Sequence, residues 1–329
     1  MSRLISVKVL FLVLVILLVG VILEPSLQNS SLALANSQVS EAKLLEEHMY
    51  GELPVVIAQI PSQVLVRNAY VLSYNSDRRV ANWVAYHLKP DYLNKPPRDG
   101  PFDDFRLDPD LSYPVDDKDY DGLFKDFGYA RGHLVPFNVS GGDRDGDGLY
   151  AIKDNDGDGK FTKNDKNESG KYIIDDPDDE ETIYQIMYMS NIAPQNHYDF
   201  NGAGGLWYEL ERWIQDDLVE EKQLEVWVIA GSIFGPGKVE KVGPHKDIHV
   251  SSMFYKILVQ RPSSCTRSVK ALAFLFPHQR ESHGEIEDFL VSIDIIESLS
   301  GFDFFTASND GIDESFERQD TFLFWEDFS

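Results

Sequence analysis

The sequence predicts an α+β fold, in which β-strands dominate and helices are interspersed among them irregularly. Of the 329 residues, 43% are hydrophobic and 12% aromatic, which is enough to bury a sizeable core in one large domain or two small ones. Runs of β-branched and aromatic residues recur along the chain, and most of them are not followed by a helical pattern. A doubly wound sheet would alternate strand and helix, so an α+β arrangement is favoured.

The charge and the cysteine content exclude several classes of protein. The chain carries 30 Lys and Arg against 55 Asp and Glu, which gives a formal net charge of −25. It therefore lacks the basic field that attracts nucleic acid or anionic lipid over long distances. Cys265 is the single cysteine, which excludes a disulfide framework and a zinc site built from a cysteine cluster.

Residues 1–35 are predicted to be a secretory signal peptide. Arg3 and Lys8 precede the apolar run of residues 9–23, and a small-residue cleavage pattern follows. The alternative is an uncleaved anchor, because residues 5–23 are nearly long enough to tether the protein to a membrane. On either interpretation, the rest of the chain is secreted, periplasmic or held at the extracellular surface.

Residues 36–61 are predicted to be a tether or a short helix, and the other regular elements follow this segment. Apolar residues at helical spacing predict a helix over 205–219 and a C-terminal helix from Ile286 to about Gly301. Runs of β-branched and aromatic residues bounded by turn residues predict strands. The predicted strands cover residues 64–66, 70–74, 83–88, 182–188, 224–230, 253–259 and 269–276.

An acidic insert, residues 141–181, separates two of the predicted strands. It holds 14 acidic residues against 6 basic ones and is rich in Gly and Asn. A segment of this composition cannot bury enough apolar surface to fold by itself, so it is interpreted as an insert and not as part of the core.

Two stretches of the insert match the pattern of a calcium loop. Carboxylates at alternate positions converge on a hard cation, a glycine at the sixth position permits the turn, and the twelfth residue completes the shell. The second stretch matches fully and resembles the calcium loops of dockerins, whereas the first lacks a twelfth residue of its own. The alternative is a solvated acidic loop. The candidate ligands of structural Ca²⁺ are Asp154, Asp156, Asp158, Lys160 and Asp165 in the second loop, and Asp143, Asp145 and Asp147 in the first.

A candidate catalytic constellation brackets the insert. Arg131-Gly132-His133 stands directly before it, and Ser190-Asn191-Ile192-Ala193-Pro194-Gln195 follows a predicted strand after it. Asn201 comes next, and Glu211 lies on the predicted helix over 205–219. Histidine is the side chain whose unperturbed pKa suits deprotonation of water near neutral pH, which makes His133 the candidate general base.

At these motifs the sequence resembles the DNA/RNA non-specific endonucleases, the family of endonuclease G. Further strings of the same kind are residues 74–88 with Arg79, 105–109, 127–129, 226–234 and 295–305. The resemblance implies a nuclease domain over residues 62–309, followed by a C-terminal tail over 310–329. It also implies a ββα-metal (His-Me) finger on a mainly antiparallel central sheet flanked by helices.

The resemblance also implies a role for each candidate residue. His133 would activate water, and Asn201 would hold a Mg²⁺ or Mn²⁺ ion that keeps most of its own waters. Glu211 would hold a water bound to that ion. Arg131 and Arg79 would clamp phosphate oxygens of DNA or RNA, which suits a forked guanidinium.

Two departures from the family pattern leave alternatives open. Ala130 stands where the family usually has Asp, and the stretch after Gln195 is lengthened by glycines. Asn191 and Gln195 are as well suited to supporting the loop as to binding metal. The predicted function is a secreted or surface-tethered, metal-dependent endonuclease that acts on DNA and RNA. The alternative is a calcium-stabilised extracellular binding protein on a degenerate nuclease fold; the sequence does not indicate an oligomeric state.

Overall fold

The computed structural model describes residues 41–237, 239–261, 269–279, 283–306, 312, 317 and 318. The chain divides into two units, Met1–Leu45 and Glu46–Ser329. Apart from the first helix, which spans the boundary between them, the description below concerns the second unit. Among the described residues, no helix is long and apolar enough to cross a membrane. The predictions of a signal peptide or anchor over residues 1–35 and of most of the C-terminal tail fall outside the described residues.

The centre of the fold is a seven-stranded antiparallel sheet, and the predicted α+β class is confirmed. The strands of the chain are β1 Val55–Val56, β2 Gln63–Val66, β3 Val71–Asn75, β4 Val80–Leu88, β5 Tyr129–His133, β6 Ile192–Asn196, β7 Val226–Ile233, β8 Lys241–Val242, β9 Ile248–His249, β10 Met253–Gln260, β11 Lys270–Pro277, β12 Leu290–Val291 and β13 Phe302–Asp303. The sheet has the order β12-β11-β10-β7-β4-β3-β2. Three further pairs, β1–β13, β5–β6 and β8–β9, lie outside it.

Long, mostly apolar runs explain why β4 and β7 lie inside the sheet. All nine residues of β4 and all eight of β7 are buried, so both faces of the sheet are covered there. Strands buried on both faces read as unbroken hydrophobic runs, and burial of that apolar area is the main force that holds the sheet together. The predicted strands at 64–66, 70–74, 83–88, 224–230, 253–259 and 269–276 are all confirmed.

The helices are short. They are α1 over residues 41–48 and, around the sheet, α2 Leu123–Phe127, α3 Pro177–Ile186, α4 Leu206–Arg212 and α5 Ile293–Ser300. A π-helical segment, Trp213–Glu221, continues α4, so the predicted helix over 205–219 is confirmed. A separate π-helical turn, His197–Asn201, joins β6 to α4.

The strand predicted at 182–188 is wrong, because residues 182–186 belong to α3. Asp176 caps the helix by accepting a hydrogen bond from the Asp178 amide at 2.8 Å, and Pro177 occupies its first position. Three acidic residues in the first turn complement the helix dipole. These start signals outweigh the strand preference of the β-branched and aromatic residues that follow.

The predicted C-terminal helix begins later than expected. Residues Ile286–Phe289 form a 3₁₀ turn, which leads into β12, and α5 starts only at Ile293. A 3₁₀ turn repeats every three residues, so its apolar side chains mimic the start of an α-helical stripe. The predicted end is confirmed, since Gly301 follows α5 with a φ of +78°.

The antiparallel hairpin β5–β6 joins the two sides of the acidic insert. His133 lies opposite Ile192 and Tyr129 lies opposite Asn196, although residues 134–191 separate the two strands along the chain. The hairpin, the π-helical turn and α4 together form a ββα unit. This unit gathers the motifs on either side of the insert.

Gly132 is required in this hairpin because the Gln195 side chain packs directly on its backbone. A Cβ atom at Gly132 would lie 2.0 Å from Gln195 Oε1 and 2.2 Å from its Cδ. Such a contact is possible only if the hairpin or the buried Gln195 side chain shifts. The Gly in the Arg-Gly-His motif is therefore explained by packing.

We predict that Gly132→Ala lowers the free energy of unfolding by about 1–3 kcal/mol, the usual cost of overpacking a dense site. The additional substitution Gln195→Ala removes the clashing atoms and should restore most of the loss. Chemical denaturation of the single and double variants measures both effects. A double variant no more stable than Gly132→Ala would contradict this explanation of the glycine.

Candidate active site

A cleft of about 370 Å³ lies against the ββα unit and contains most of the predicted site residues. Of the five residues assigned to catalysis or to the catalytic metal, Arg79 does not line this cleft. The other four do, together with residues that the sequence did not single out. The lining residues are Lys95, Arg98, Arg131, His133, Pro136, Phe137, Asn138, His197, Asn201 and Glu211.

His133 holds a neutral imidazole in the cleft. The residue is half-buried, and its Nε2 is shielded from water without a hydrogen-bond partner among the described residues. Desolvation by burial, assisted by the nearby Arg98 guanidinium, lowers the pKa of His133 to about 3. The ring is therefore unprotonated near neutral pH, which is the form that accepts a proton.

Arg131 is fixed by acidic residues from the segment before β5. Its Nε donates to the Asp117 carboxylate, and its Nη2 donates to the Asp117 carbonyl oxygen at 2.9 Å. A longer ion pair of 3.4 Å links it to Asp121. These contacts hold the guanidinium at the cleft while 28% of the side chain stays exposed, so part of it can meet an anion.

Two further cations, Lys95 and Arg98, extend the positive side of the cleft. The Arg98 guanidinium lies 5.2 Å from the Phe105 ring centre and pairs with Asp103 at 2.7 Å. The Lys95 ammonium lies 5.8 Å from the Phe137 ring centre, and burial lowers its pKa. Both residues stand in an irregular loop far before the Arg-Gly-His motif, and no sequence signal distinguished them from ordinary surface cations.

Asn201 closes the π-helical turn, and the start of that turn is firmly anchored. The Asn196 side chain accepts from the Tyr198 amide at 2.9 Å, and the Asn196 amide donates to His278 Nε2 at 2.7 Å. His278 Nδ1 in turn donates to the Ser251 carbonyl oxygen at 2.8 Å, so this ring is neutral. The Asn201 amide makes no hydrogen bond to another described side chain, which leaves its oxygen available to a ligand.

Glu211 is paired with a fully buried lysine. Lys256 lies on β10, and its Nζ is 2.7 Å from Glu211 Oε1 and 3.9 Å from the Trp207 ring centre. Burial raises the pKa of Glu211, and the ammonium of Lys256 opposes that shift. Lys256 was missed in the sequence because it interrupts a hydrophobic strand, and only the fold shows which carboxylate it meets.

Asn191 supports the loop after His133, which was one of the two roles left open for it. Its Nδ2 donates to the carbonyl oxygens of Val135 and Ile186, both at 3.0 Å. Its Oδ1 accepts from the Val135 amide at 2.9 Å. Because both ends of the buried amide are occupied, Asn191 is poorly suited to hold a metal, and Asn201 is the asparagine at the cleft.

Arg79 is locked into a buried ion pair away from the lining of the cleft. It sits in the turn between β3 and β4 with a φ of +57°. Its guanidinium donates to Asp247 at 2.8 Å, to Asp119 at 3.2 Å and to the Pro114 carbonyl oxygen at 2.9 Å. These contacts hold the two terminal nitrogens of the guanidinium away from the cleft, so the phosphate-clamping role expected for Arg79 is not supported by its position.

In each predicted calcium loop, the first aspartate accepts hydrogen bonds from later backbone amides of the same loop. Asp154 accepts from the amides of Gly157 and Gly159, and Asp143 accepts in the same way from Gly146 and Gly148. Asp156 and the buried Asp165 bring carboxylate oxygens within 4.8 Å of Asp154. Asp143, Asp145 and Asp147 form a second group of the same kind. Asp158 is outside these groups, and its carboxylate accepts from the Lys160 amide at 2.8 Å.

Arg144 connects the first loop to the wall of the cleft. Its guanidinium lies 3.4 Å from the Tyr92 ring centre, and its Nε donates to the Gly141 carbonyl oxygen at 3.0 Å. Its Nη2 donates to the carbonyl oxygen of Val139, directly after the cleft residue Asn138. The start of the insert is therefore attached to the same short segment that lines the cleft.

We predict that Glu211→Gln lowers the free energy of unfolding by about 3 kcal/mol, because it leaves Lys256 buried without a counter-charge. Adding Lys256→Met removes the stranded charge and should recover most of that loss. Urea denaturation at neutral pH measures the cycle. Asp216→Asn, which breaks the exposed Arg212–Asp216 pair, is the control and should have little effect. Equal losses in Glu211→Gln and the double variant would contradict the coupling.

Comparison with known proteins assigns the chain to a family. A family model described as DNA/RNA non-specific endonuclease matches residues 54–148 and 175–311, on both sides of the middle of the insert. A nuclease of Nostoc sp. is 26% identical over 263 residues, and the match covers 78% of each chain. A nuclease of Serratia marcescens is 25% identical over 259 residues, covering 78% of this chain and 79% of the relative.

A similar fold is found among solved structures. The structure of the EndoG/EndoGI complex matches with a TM-score of 0.57 and 21% identity, covering 79% of this chain and 90% of the matched chain. The family model spans well over half of the sequence and includes the strands and motifs that form the cleft. This protein belongs to the DNA/RNA non-specific endonuclease family and is a nuclease.

Proposed function

We propose that this nuclease is a metal-dependent endonuclease that hydrolyses phosphodiester bonds of both DNA and RNA without sequence specificity. The observation that carries the proposal is the meeting of His133, Asn201 and Glu211 in one cleft. A neutral base, a vacant amide oxygen and a carboxylate are the groups that water activation and cation binding need. The alternative is a calcium-stabilised binding protein on a degenerate nuclease fold, and its support is Ala130 and the acidity of the chain. The assembled cleft argues against it.

His133 would accept the proton of the attacking water. Its pKa of about 3 makes the free imidazole a weak base, although always an unprotonated one near neutral pH. A phosphate that enters the cleft brings negative charge next to the ring, and that charge favours the protonated form. The base would therefore strengthen when substrate is bound.

Arg131, Arg98 and Lys95 would hold the phosphate oxygens. They line the cleft in a protein whose formal net charge is −25, so the attraction they offer is local. Guanidinium groups donate paired hydrogen bonds to phosphate, and these contacts are made to the backbone of the nucleic acid without reading its bases. This accounts for hydrolysis without sequence specificity.

Asn201 fits a Mg²⁺ or Mn²⁺ ion as a protein ligand. Its amide is available at the cleft, and Mg²⁺ binds through few protein oxygens because it keeps several waters. Glu211, held by Lys256, would accept hydrogen bonds from waters around such an ion. When bound, the ion would supply neutralisation of the charge on the phosphate and on the leaving oxygen.

We also propose that Ca²⁺ stabilises the acidic insert and does not take part in catalysis. Asp154, Asp156 and Asp165 converge within 4.8 Å, and Asp158 and the Lys160 carbonyl complete the predicted set. Partial desolvation and neighbouring carboxylates raise the pKa of Asp156, a repulsion that a bound cation would relieve. The first loop, Asp143, Asp145 and Asp147, would bind a second ion in the same way.

The nuclease would act outside the cytoplasm. The basic and apolar pattern of residues 1–35 supports a signal peptide, with a membrane tether through residues 5–23 as the alternative. Calcium loops agree with this location, because extracellular modules bind Ca²⁺ at the concentrations found there.

We predict that His133→Ala lowers kcat on plasmid DNA and on RNA by about 100-fold or more, the usual contribution of a general base. His245→Ala, at an exposed histidine outside the cleft, is the matched control and should keep the wild-type rate. Steady-state cleavage with a saturating divalent cation measures both. A wild-type rate in His133→Ala would remove this residue from the mechanism.

We predict that Asn201→Ala loses activity through weaker metal binding, so that raised Mg²⁺ restores part of it. Activity is measured as a function of Mg²⁺ concentration, and calorimetry measures Mg²⁺ binding directly. Asn191→Ala is the matched control, and it should lower thermal stability without moving the Mg²⁺ midpoint. The reverse pattern would show that Asn191 is the ligand.

We predict that saturating Ca²⁺ raises the melting temperature, because an ion that binds only the folded loop stabilises it by mass action. The double variant Asp156→Ala/Asp158→Ala should lose this rise and keep Mg²⁺-dependent cleavage. Asp175→Ala, an exposed acid of the insert outside both loops, should retain the rise. Calorimetry that detects no Ca²⁺ binding at millimolar concentration would leave the insert as a solvated acidic loop.

A further inference from the structure

An exposed aromatic cluster borders the cleft. It consists of Phe124 on α2 and of His197 and Tyr198 on the π-helical turn that ends at Asn201. Phe124 is 49% exposed and Tyr198 is 58% exposed. The Phe124 ring centre lies 5.1 Å from His197 and 5.9 Å from Tyr198, and the two neighbours lie 5.7 Å from each other. His197 is also a lining residue of the cleft, so the cluster continues its wall.

The cluster is held in place by the backbone and not by burial of its rings. The His197 amide donates to the Gly128 carbonyl oxygen at 2.9 Å, which ties the π-helical turn to the end of α2. Gly122 and Gly128 flank α2, and both have left-handed backbone conformations. The Asn196 side chain caps the Tyr198 amide. Burial of a large aromatic side chain contributes a large favourable free energy. A fixed, half-exposed group of such side chains therefore offers a surface to a ligand.

We propose that Phe124, His197 and Tyr198 form a stacking platform for unpaired bases of the strand whose phosphate occupies the cleft. The proposal rests on the proposed nuclease function and specifies its preferred substrate: single-stranded nucleic acid, whose bases are unpaired. Every base has a π face, so stacking on aromatic side chains tolerates any sequence. The platform and the cleft share His197, which places a base next to the phosphate of its own strand.

The charge around the platform favours contact with a base over contact with a phosphate group. Asp126 and Asp199 lie next to the aromatic residues in the chain, and the protein as a whole carries −25. A polyanion therefore gains little from long-range attraction, whereas stacking does not depend on net charge. The bases of an intact duplex are stacked on one another and cannot use the platform. We therefore expect tighter binding of single strands than of duplexes of the same sequence.

Binding is tested with single-stranded DNA that carries 2-aminopurine, a base whose fluorescence falls when it stacks. The protein is the His133→Ala variant, which binds without cleaving. We expect quenching on binding, and we expect Phe124→Leu/Tyr198→Leu in that background to abolish it and to raise Kd by roughly tenfold or more. Tyr198→Phe keeps the ring and should keep the quenching. Quenching that survives the two leucines would overturn the platform.

Cleavage provides the second measurement. In the otherwise wild-type enzyme, Phe124→Leu/Tyr198→Leu should raise KM for single-stranded DNA by roughly tenfold and leave KM and kcat for the matched duplex unchanged. An equal loss on both substrates would show a structural defect and overturn the proposal. A concentration-dependent dimer of the wild-type protein that the leucine variant abolishes would also overturn it, since the cluster would then be a contact between two copies.

These outcomes separate the platform from the nuclease function on which it rests. If the wild-type protein cleaves DNA and the leucine variant behaves like it on single strands, the platform fails and the function stands. If the wild-type protein cleaves no nucleic acid, the proposed function fails, and loss of aminopurine quenching in the leucine variant would still establish the stacking site.

Discussion

The pairing of β5 with β6 is the interaction on which the cleft depends. The two strands are separated along the chain by residues 134–191, yet their register places His133 opposite Ile192 and leads directly into the turn that ends at Asn201. The entropy of closing a loop grows only slowly with its length, so an insert costs little once the pairing itself is secure. The packing of Gln195 on Gly132 secures the hairpin, and the buried hydrogen bonds of Asn191 secure the loop that follows it. The fold therefore keeps its site intact around a segment that carries a different chemistry.

The cations of the cleft can attract a phosphate only at short range. The chain has a large negative charge, and two of the cations at the cleft already have acidic partners, Asp117 and Asp121 for Arg131 and Asp103 for Arg98. Such pairs orient the guanidinium groups and reduce their field at a distance. A phosphate gains from them only on contact, when its oxygens meet the N–H groups that remain exposed. Affinity would then come from several local contacts, and the proposed base stacking is the kind that net charge affects least.

Local patterns predicted the parts of the structure that depend on local physics. Continuous apolar runs identified six strands, and the family resemblance at the motifs around His133 identified four of the residues that line the cleft. The remainder depends on partners that are distant in sequence. Lys256 meets Glu211, and Arg79 meets Asp247, only after the sheet has formed. The strand expected at 182–188 was wrong because the cap at Asp176 and the acidic first turn outweigh side-chain preference for a strand. The sequence did not indicate that Arg98 lines the cleft, because the residue lies in an irregular loop without a periodic pattern.

With His133 as the proposed base, burial at the cleft would link substrate binding to the strength of that base. In the free protein, desolvation and Arg98 keep the His133 imidazole neutral, with a pKa of about 3, so it binds a proton only weakly. A phosphate that pairs with Arg98 and Arg131 would cancel the charge that disfavours the imidazolium and add negative charge of its own. Both changes would raise the pKa of His133 in the state in which the proposed mechanism has it accept a proton. The same desolvation that makes the ring a poor base in the free protein also strengthens its interaction with the bound anion, because charges attract more strongly where water is excluded. The cleft would thus be prepared for proton transfer mainly when a phosphate is present.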